Sequence, residues 1–598
     1  MKTKHILQNI GLLMFIIGLL IFTSLPGIGY YQISTNEVAF KSEFHQNAIA
    51  EIADQSRQAD QKISSTFVFI KRVTDLIKSA QQELSTNFDG NLPDGKGEWD
   101  VKIADWDVEY YVSEIVQSSA SGPIQNNPWL WFMLTFGLSI LGGLLYMIPK
   151  FYEQEGIKHD GIFHNSFTRG LKLTVRSVFL GVVIIGIITY GILKLQDFLW
   201  PAITLLLIGV IYYLVFYKQN ARNHNPPKSA SPIHTGWLGV IAGTYLIFFY
   251  ILLYWAPNYI NNWIDMVDPI SKALSGNEAS NWFLYGLMYT IIVAVMGIRM
   301  WSKYRHNRYQ KIRTASVVFF QTAFAFLIPE ILVRLNQPWF DFKNIWPLDY
   351  DFFFDYNLNT LVSSGGLGLF MLVWGIVLIV IAVPVITYFY GKRWYCSWVC
   401  GCGGLAETMG DPFRQLSDKS LRAWKWERYI IHGVLAFAIL MTAMVLYTYF
   451  TGAGNILFIN SYSMRSWYGF FIGAGFSGVV GTGFYPLMGN RVWCRFGCPL
   501  AAYLGLVQRF KSRFRITTNG GQCISCGNCS TYCEMGIDVR AYAQKGQNIV
   551  RSSCVGCGVC AAVCPRGVLR LENGPNTDSS RTAEQKVIHI VEGELRIL

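Results

Sequence analysis

Between Cys523 and Pro565 the chain reads C-I-S-C-G-N-C-S-T-Y-C, a spacer, and then C-V-G-C-G-V-C-A-A-V-C-P. Both runs follow C-x2-C-x2-C-x3-C, the ligand spacing of bacterial ferredoxins with two [4Fe–4S] clusters, in which each fourth cysteine serves the other cluster. Three cysteines in a tight loop reach three iron corners of one cube, and the fourth, carried onward, reaches the neighbouring cube. The spacing assigns Cys523, Cys526, Cys529 and Cys564 to one cluster and Cys554, Cys557, Cys560 and Cys533 to the other. Gly527, Gly556 and Gly558 let backbone amides approach the sulfurs, which tunes potential. Structural zinc sites also use C-x2-C pairs. Two runs of four in this repeat, the second closing on C-P, favour iron. Disulfides fit less well, because all 13 cysteines lie between Cys396 and Cys564, on the side that loop charge places in the cytoplasm.

The rest of the chain is too apolar for a soluble protein: 52% of residues are hydrophobic, 15% are charged, and mean hydropathy is +0.28. Ten runs of membrane-spanning length are expected, at Ile6–Leu25, Trp129–Ile148, Leu173–Leu193, Leu199–Tyr217, Trp237–Trp255, Trp282–Met300, Ala315–Leu335, Leu361–Tyr390, Tyr429–Phe450 and Trp467–Met488. Tyr and Trp crowd several ends, as interface belts do. The loops at 149–172, 218–235, 301–313 and 391–428 carry 19 Lys and Arg, whereas the opposite loops carry Lys194, Lys272, Lys343 and Arg465. The basic side is therefore read as cytoplasmic, with both termini on it. Asp341, Asp349, Asp351 and Asp355 fall on the other side. The first run reads as a retained anchor, since no A-x-A cleavage site follows it. A net charge of +12 then reflects loops facing anionic lipid. No nucleic-acid module is visible.

Residues 31–127 form the one sizeable segment outside the cytoplasm. The stretch from Glu37 to about Leu84 reads as helix, and Gly97 to Val116 alternates (Val101, Ile103, Trp106, Val108, Tyr110) as a strand or two would. A small α+β module is expected, with only His45 as a metal-type residue. His159 and His164 share one loop and read as solvated surface. His432 is the only histidine within a run, and no C-x-x-C-H occurs, so no haem is expected. Glu330 is the candidate catalytic residue, a proton relay at membrane depth, unless it pairs with Arg334 one helical turn on. Arg176 and Arg299, near cytoplasmic ends, are expected to snorkel. The strip Arg509, Lys511, Arg513 and Arg515 reads as a surface for lipid head groups or for an acidic electron donor.

The eighth run leads into G-K-R-W-Y-C-S-W-V-C-G-C-G and the tenth into G-N-R-V-W-C-R-F-G-C-P-L-A. They align without gaps: Gly391 on Gly489, Arg393 on Arg491, Cys396 on Cys494, Cys400 on Cys498. A C-x3-C pair puts two sulfurs on one face of a helical turn. Two facing pairs make a four-thiolate site suited to a third cluster, with Cys402 spare or an alternative ligand. Redox-active dithiols, or thiols that only pack, are the other readings.

Twin C-x3-C motifs after membrane helices, followed by the two C-x2-C-x2-C-x3-C runs, resemble the NosR/NapH family of membrane-bound polyferredoxins and its copper-oxidase assembly relative CcoG. The resemblance covers roughly residues 361–575. It implies electron transfer linked to the quinone pool or to a redox partner protein, or metal-centre maturation within a respiratory or assembly complex. Two departures stand out: Cys400-Gly401 replaces C-P, and no S-G-A-T-like flavin attachment motif occurs in 31–127, so covalent flavin is not expected. The expected fold class is mostly α, a polytopic helical protein of the bacterial inner membrane. It has an anchor (1–30), an extracytoplasmic domain (31–127), helices two to seven (128–360), helices eight to ten with the twin motifs (361–509), a ferredoxin-like α+β domain (510–575) and a tail (576–598). The expected function is electron transfer between a cytoplasmic or quinone-linked donor and a membrane or periplasmic acceptor. An assembly factor reducing a metal ion or disulfide is the alternative.

Overall fold

The computed structural model describes residues 2–33, 38, 40–55, 61–86, 98–152, 237–456, 459–574, 588–591 and 594–597. The expected runs Leu173–Leu193 and Leu199–Tyr217, with His159, His164 and Arg176, lie outside these residues. The chain divides into two compact units: 1–149 with 175–211 and 248–286, and 150–174 with 212–247 and 287–598.

In the first unit, Lys2–Ser24 is a helix that is apolar all round from Ile10 to Phe22, as a lipid-surrounded helix must be. It crosses the apolar stretch Pro128–Pro149 at two glycines. A Cβ on Gly11 would stand 2.6 Å from the Gly142 carbonyl oxygen, and one on Gly142 equally close to that of Gly11. Small residues are what lets two backbones touch in a membrane. The end of the first helix is sealed by Asn261–Leu274, the second arm of a helix pair bent through 113°. Asn262 Nδ2 donates to the carbonyls of Leu25 and Ile28, both at 2.8 Å, and Trp263 Nε1 donates to that of Phe22 at 2.6 Å. These bonds satisfy groups that a helix terminus leaves unpaired.

The module after the first helix is helical rather than α+β. Glu43–Gln55, Thr66–Thr86 and Asp105–Ser119 pack around Ile49, Phe69, Val73, Ile77, Tyr111 and Ile115. The strand expected over 97–116 is instead the short helix Glu98–Val101 and the helix Asp105–Ser119. The alternating positions stop at Tyr110, whereas Val108, Tyr111, Val112, Ile115 and Val116 recur with helical period and are the ones buried. Among the described residues of the module, strand is confined to Tyr30–Tyr31 paired with Ala120–Ser121, which joins its two ends. His45 is a packing residue there: it is buried, with Nδ1 2.7 Å from the Tyr111 hydroxyl.

Six helices among the described residues are long and apolar enough to cross a membrane, which makes this a membrane protein. They match six of the expected runs. Trp237–Trp255 is the first arm of the bent pair. Trp467–Met488 is interrupted at Phe484, between Gly481–Gly483 and Tyr485–Met488. The expected run Leu361–Tyr390 begins late: Asp355–Ser363 is a separate helix, and Gly365, at φ +73°, turns the chain into the next. Leu421–Thr451 starts eight residues before the expected Tyr429, where Ser420 caps it by accepting from the Ala423 amide.

Segment 341–354, expected as an ordinary loop far from the cysteines, folds back among the helices. Trp346 Nε1 donates to Thr442 Oγ1 at 3.0 Å. Thr442 lies about 14 Å along the axis from the end of Leu421–Thr451, at about 1.5 Å per residue. The Phe352 ring occupies the space left by Gly375, and the Tyr350 hydroxyl stands 3.3 Å from where a Cβ on Gly469 would be. Ile345 is buried in the same core as Cys396 and Cys494. Successive turns satisfy the backbone: Asn344 N to Asp341 O at 2.9 Å, Leu348 N to Ile345 O at 2.8 Å, Phe354 N to Asp351 O at 2.9 Å. Irregular backbone is tolerated at such depth only where protein surrounds it.

Candidate metal centres

The ferredoxin-like region opens with strand Phe514–Thr518, antiparallel to Leu569–Asn573 with Ile516 opposite Leu571. Between them the two cysteine runs adopt one design twice. Gly527 (φ +82°) and Gly558 (φ +74°) each precede a one-turn helix, Asn528–Thr531 and Val559–Ala562. The next cysteine is tied alike in both: Cys533 N to Ser530 O at 3.2 Å and Cys564 N to Ala561 O at 3.4 Å. A side chain at either glycine would strain the left-handed turn that swings three cysteines to one side.

The result is two cavities, each lined by four cysteines. Cys523, Cys526, Cys529 and Cys564 line the first, and Cys533, Cys554, Cys557 and Cys560 line the second. Each fourth cysteine thus sits with the other run's three. Burial pushes the Cys529 thiol up to about 12 and Cys554 up to about 11, so thiolates there call for a cation among them. The Ile537 amide points at Cys533 Sγ at 3.4 Å. Four soft donors per cavity with amides directed at sulfur fit a thiolate-held iron–sulfur cluster. Cys526 is exposed, whereas Cys554 and Cys560 are buried, so the first set of four cysteines reaches the surface and the second is the more deeply buried.

The twin hairpins are also structural copies. Gly391 (φ +67°) and Gly489 (φ +92°) turn the chain out of its membrane helix. Cys400 N donates to Tyr395 O at 2.8 Å and, in the copy, Cys498 N donates to Trp493 O at 2.9 Å. Cys400 and Cys498 then cap helices Gly401–Thr408 and Pro499–Lys511. Gly401 occupies the first helical position as Pro499 does, so the departure from C-P leaves the backbone path unchanged. Cys396, Cys400, Cys494 and Cys498 share one buried core, with Cys402 at its margin. A thiol–thiol hydrogen bond from Cys402 draws Cys400 toward its thiolate.

A buried charge network, not legible from any local motif, joins the hairpins to the ferredoxin region. Arg491 Nη1 donates to the Cys396 carbonyl at 3.2 Å and lies 3.6 Å from Cys494 Sγ, while Nη2 meets Glu407 at 2.5 Å and Glu534 at 3.1 Å. Arg313 bonds Glu407 at 2.6 Å, and Arg414 bonds Glu534 at 2.6 Å. Asp411 is held by Lys303 at 2.6 Å and Arg299 at 3.2 Å, and these cations keep its carboxyl well below the usual range. Arg299, expected to snorkel, is therefore buried in an ion pair. Glu407, Glu534 and Cys557 approach within 4.8 Å of one another, yet both carboxylates are occupied by arginines and read as part of the network. Five cations face three carboxylates here. That excess of positive charge, beside eight enclosed sulfurs, suits anionic thiolate centres.

The second cavity is clamped to the hairpins. Ser397, between Cys396 and Cys400, donates to the Val555 carbonyl at 2.8 Å; Tyr309 donates to that of Gly556 at 2.9 Å; Gln508 Nε2 donates to that of Cys554 at 2.8 Å. The basic strip is not one face: Arg515 is buried in its strand, whereas Arg509, Lys511 and Arg513 are exposed outside it, with Arg513 stacked on Tyr388. Glu330 is not brought to any cysteine. It receives the Trp339 indole and lies about 25 Å along its helix from Arg313, at about 1.5 Å per residue. His432 binds the Arg428 carbonyl of its own helix.

These sites define iron–sulfur domains, and comparison with known families agrees. A 4Fe-4S binding domain matches residues 372–420 and 468–517, the two hairpins, and a 4Fe-4S dicluster domain matches 515–565. Among curated proteins the chain is similar to YccM of Escherichia coli K12, named as an electron transport protein, at 29% identity over 170 residues. It is likewise similar to MauN of Paracoccus denitrificans, a methylamine utilization ferredoxin-type protein, at 29% over 174 residues. Each match covers 27% of this chain and, respectively, 46% and 56% of the relative, so the chain spans about half the length of the curated relatives it matches. No solved structure matches it.

Proposed function

We propose that this chain is an inner-membrane electron carrier of bacteria. One-electron traffic runs from the ferredoxin site with the exposed Cys526, through the one with the more buried cysteines, to a third centre held by Cys396, Cys400, Cys494 and Cys498. Both termini and all three sites face the cytoplasm. The observation that carries this reading is the order of exposure and contact: exposed Cys526 at one end, and the Ser397–Val555 hydrogen bond joining the more buried loop to a hairpin at the other. Bound iron–sulfur clusters would supply the redox capacity. The chain's residues hold them, exclude water from the second and third sites, and set their electrostatics through Arg491 and its partners. The acceptor is a quinone or a membrane or periplasmic partner, and Glu330 is the candidate proton site for a quinone head group. A second reading, an assembly factor that reduces a metal ion or disulfide, draws on the Cys400–Cys402 thiol pair.

The mouth of the first cavity carries Arg540 and Arg566, both exposed, and among the described residues no acid lines it. This favours a small acidic electron donor, whose approach such charges would steer. Glutamate at both positions should slow reduction by a flavodoxin-type carrier at least tenfold at low salt, with the gap closing as salt rises. Iron content and reduction by dithionite should stay as in the parent protein. Equal rates at all ionic strengths would rule out this entrance.

A further inference from the structure

The hairpin thiols have a neighbour that comes from the far ends of the helices. Lys343 lies on the re-entrant segment, with Nζ 2.9 Å from Asp341 Oδ2, and both side chains are about nine-tenths buried, at 9% and 10% exposure. Its Nζ is 3.9 Å from where a Cβ on Gly401 would stand. Gly401 separates Cys400 from Cys402, and the ammonium's field reaches both sulfurs. Lys343 thus approaches the first hairpin's thiols, while Arg491 lies 3.6 Å from Cys494 Sγ of the second.

We propose that Lys343 is a positioning residue for the hairpin centre: a fixed positive charge, carried in by segment 341–354 and oriented by Asp341, that stabilises an electron arriving there. The inference rests on the three-centre reading above. In the step concerned, one electron leaves the more buried ferredoxin site, which is oxidised by one, and enters the hairpin site, which is reduced by one. No bond or proton is exchanged. The added negative charge appears in a low-dielectric setting beside a cation, where Coulomb terms are large. The groups facing it are Lys343, Arg491 and Lys392, offset by Asp341 and Glu407. Gly401 keeps the approach open, since a side chain there would stand 2.8 Å from Gln321 Oε1 and crowd the ammonium.

The test is a potentiometric titration of the detergent-solubilised full chain, following the paramagnetic signal that Cys494→Ser removes. Lys343→Met should shift the reduction equilibrium of that signal at least tenfold toward the oxidised form, about 59 mV for one electron. Lys343→Arg should restore it, and Asp341→Asn should shift it the opposite way. Opposite signs from adjacent residues are not what a folding defect produces, and Asp341→Asn alone decides the matter should Lys343→Met fail to accumulate. Midpoints unmoved in both variants, or moved the same way, would overturn the proposal. Placement is checked without iron: in iron-stripped membranes a short bifunctional methanethiosulfonate should link Lys343→Cys to Cys400 or Cys402, the cysteine side chain being shorter than the lysine it replaces, and the absence of that link would overturn it equally. A parent protein with no signal that depends on Cys494 would instead defeat the three-centre reading, leaving the crosslink to report on Lys343.

Discussion

Serine at Cys529 should erase one of two ferredoxin-type paramagnetic signals and leave the other intact, and serine at Cys560 should do the reverse. The effect is large because a hydroxyl is a poor substitute for thiolate toward iron–sulfur clusters. The more telling pair is Cys564 and Cys533. Cys564 follows Cys560 in sequence but lines the cavity of Cys529, and Cys533 lines that of Cys560. Cys564→Ser should therefore remove the same signal as Cys529→Ser, and Cys533→Ser the same signal as Cys560→Ser. Loss sorted instead by position along the chain would mean that each run serves its own cluster.

Replacing Arg491 with methionine should cost about 3–5 kcal/mol of stability, the range for breaking a buried ion pair by removing one partner. Against total stabilities of about 5–15 kcal/mol, that is a large fraction. Methionine would leave Glu407 and Glu534 short of a cation inside the protein and remove the donors to the Cys396 carbonyl and Cys494 sulfur. Lysine would restore charge but not the planar fork that meets several acceptors at once, so rescue should be partial. The matched control is Arg465→Met. Its partner Asp355 is 52% exposed, and its loss should cost about 1 kcal/mol or less. Thermal unfolding in detergent measures all three. Equal midpoints for the Arg491→Met and Arg465→Met proteins would show that the network is not structural.

What could be read from the sequence was local. The ferredoxin cysteines announce themselves because the ligand geometry is built within a few residues. The hairpin repeat did so because two copies align position by position, down to Gly391 and Gly489. What escaped was non-local. Glu407 and Arg313 are 94 residues apart and Arg414 and Glu534 are 120 apart, and each alone looks like a solvated charge. Lys343 reads as a loop residue in the sequence because D-F-K-N-I-W-P-L-D-Y-D is too polar for a membrane-embedded segment. Only tertiary contacts such as Trp346 with Thr442 reveal that protein encloses it. The helix Asp105–Ser119 reads as strand in the sequence because its first residues satisfy both periods, and the deciding positions, Tyr111 to Val116, come later.

Iron and acid-labile sulfide, counted per chain on anaerobically purified protein, bear most directly on the central claim. With three thiolate centres the count should approach twelve irons, and with only the ferredoxin pair loaded it should be about eight. A native preparation that is colourless and free of iron would contradict the account outright.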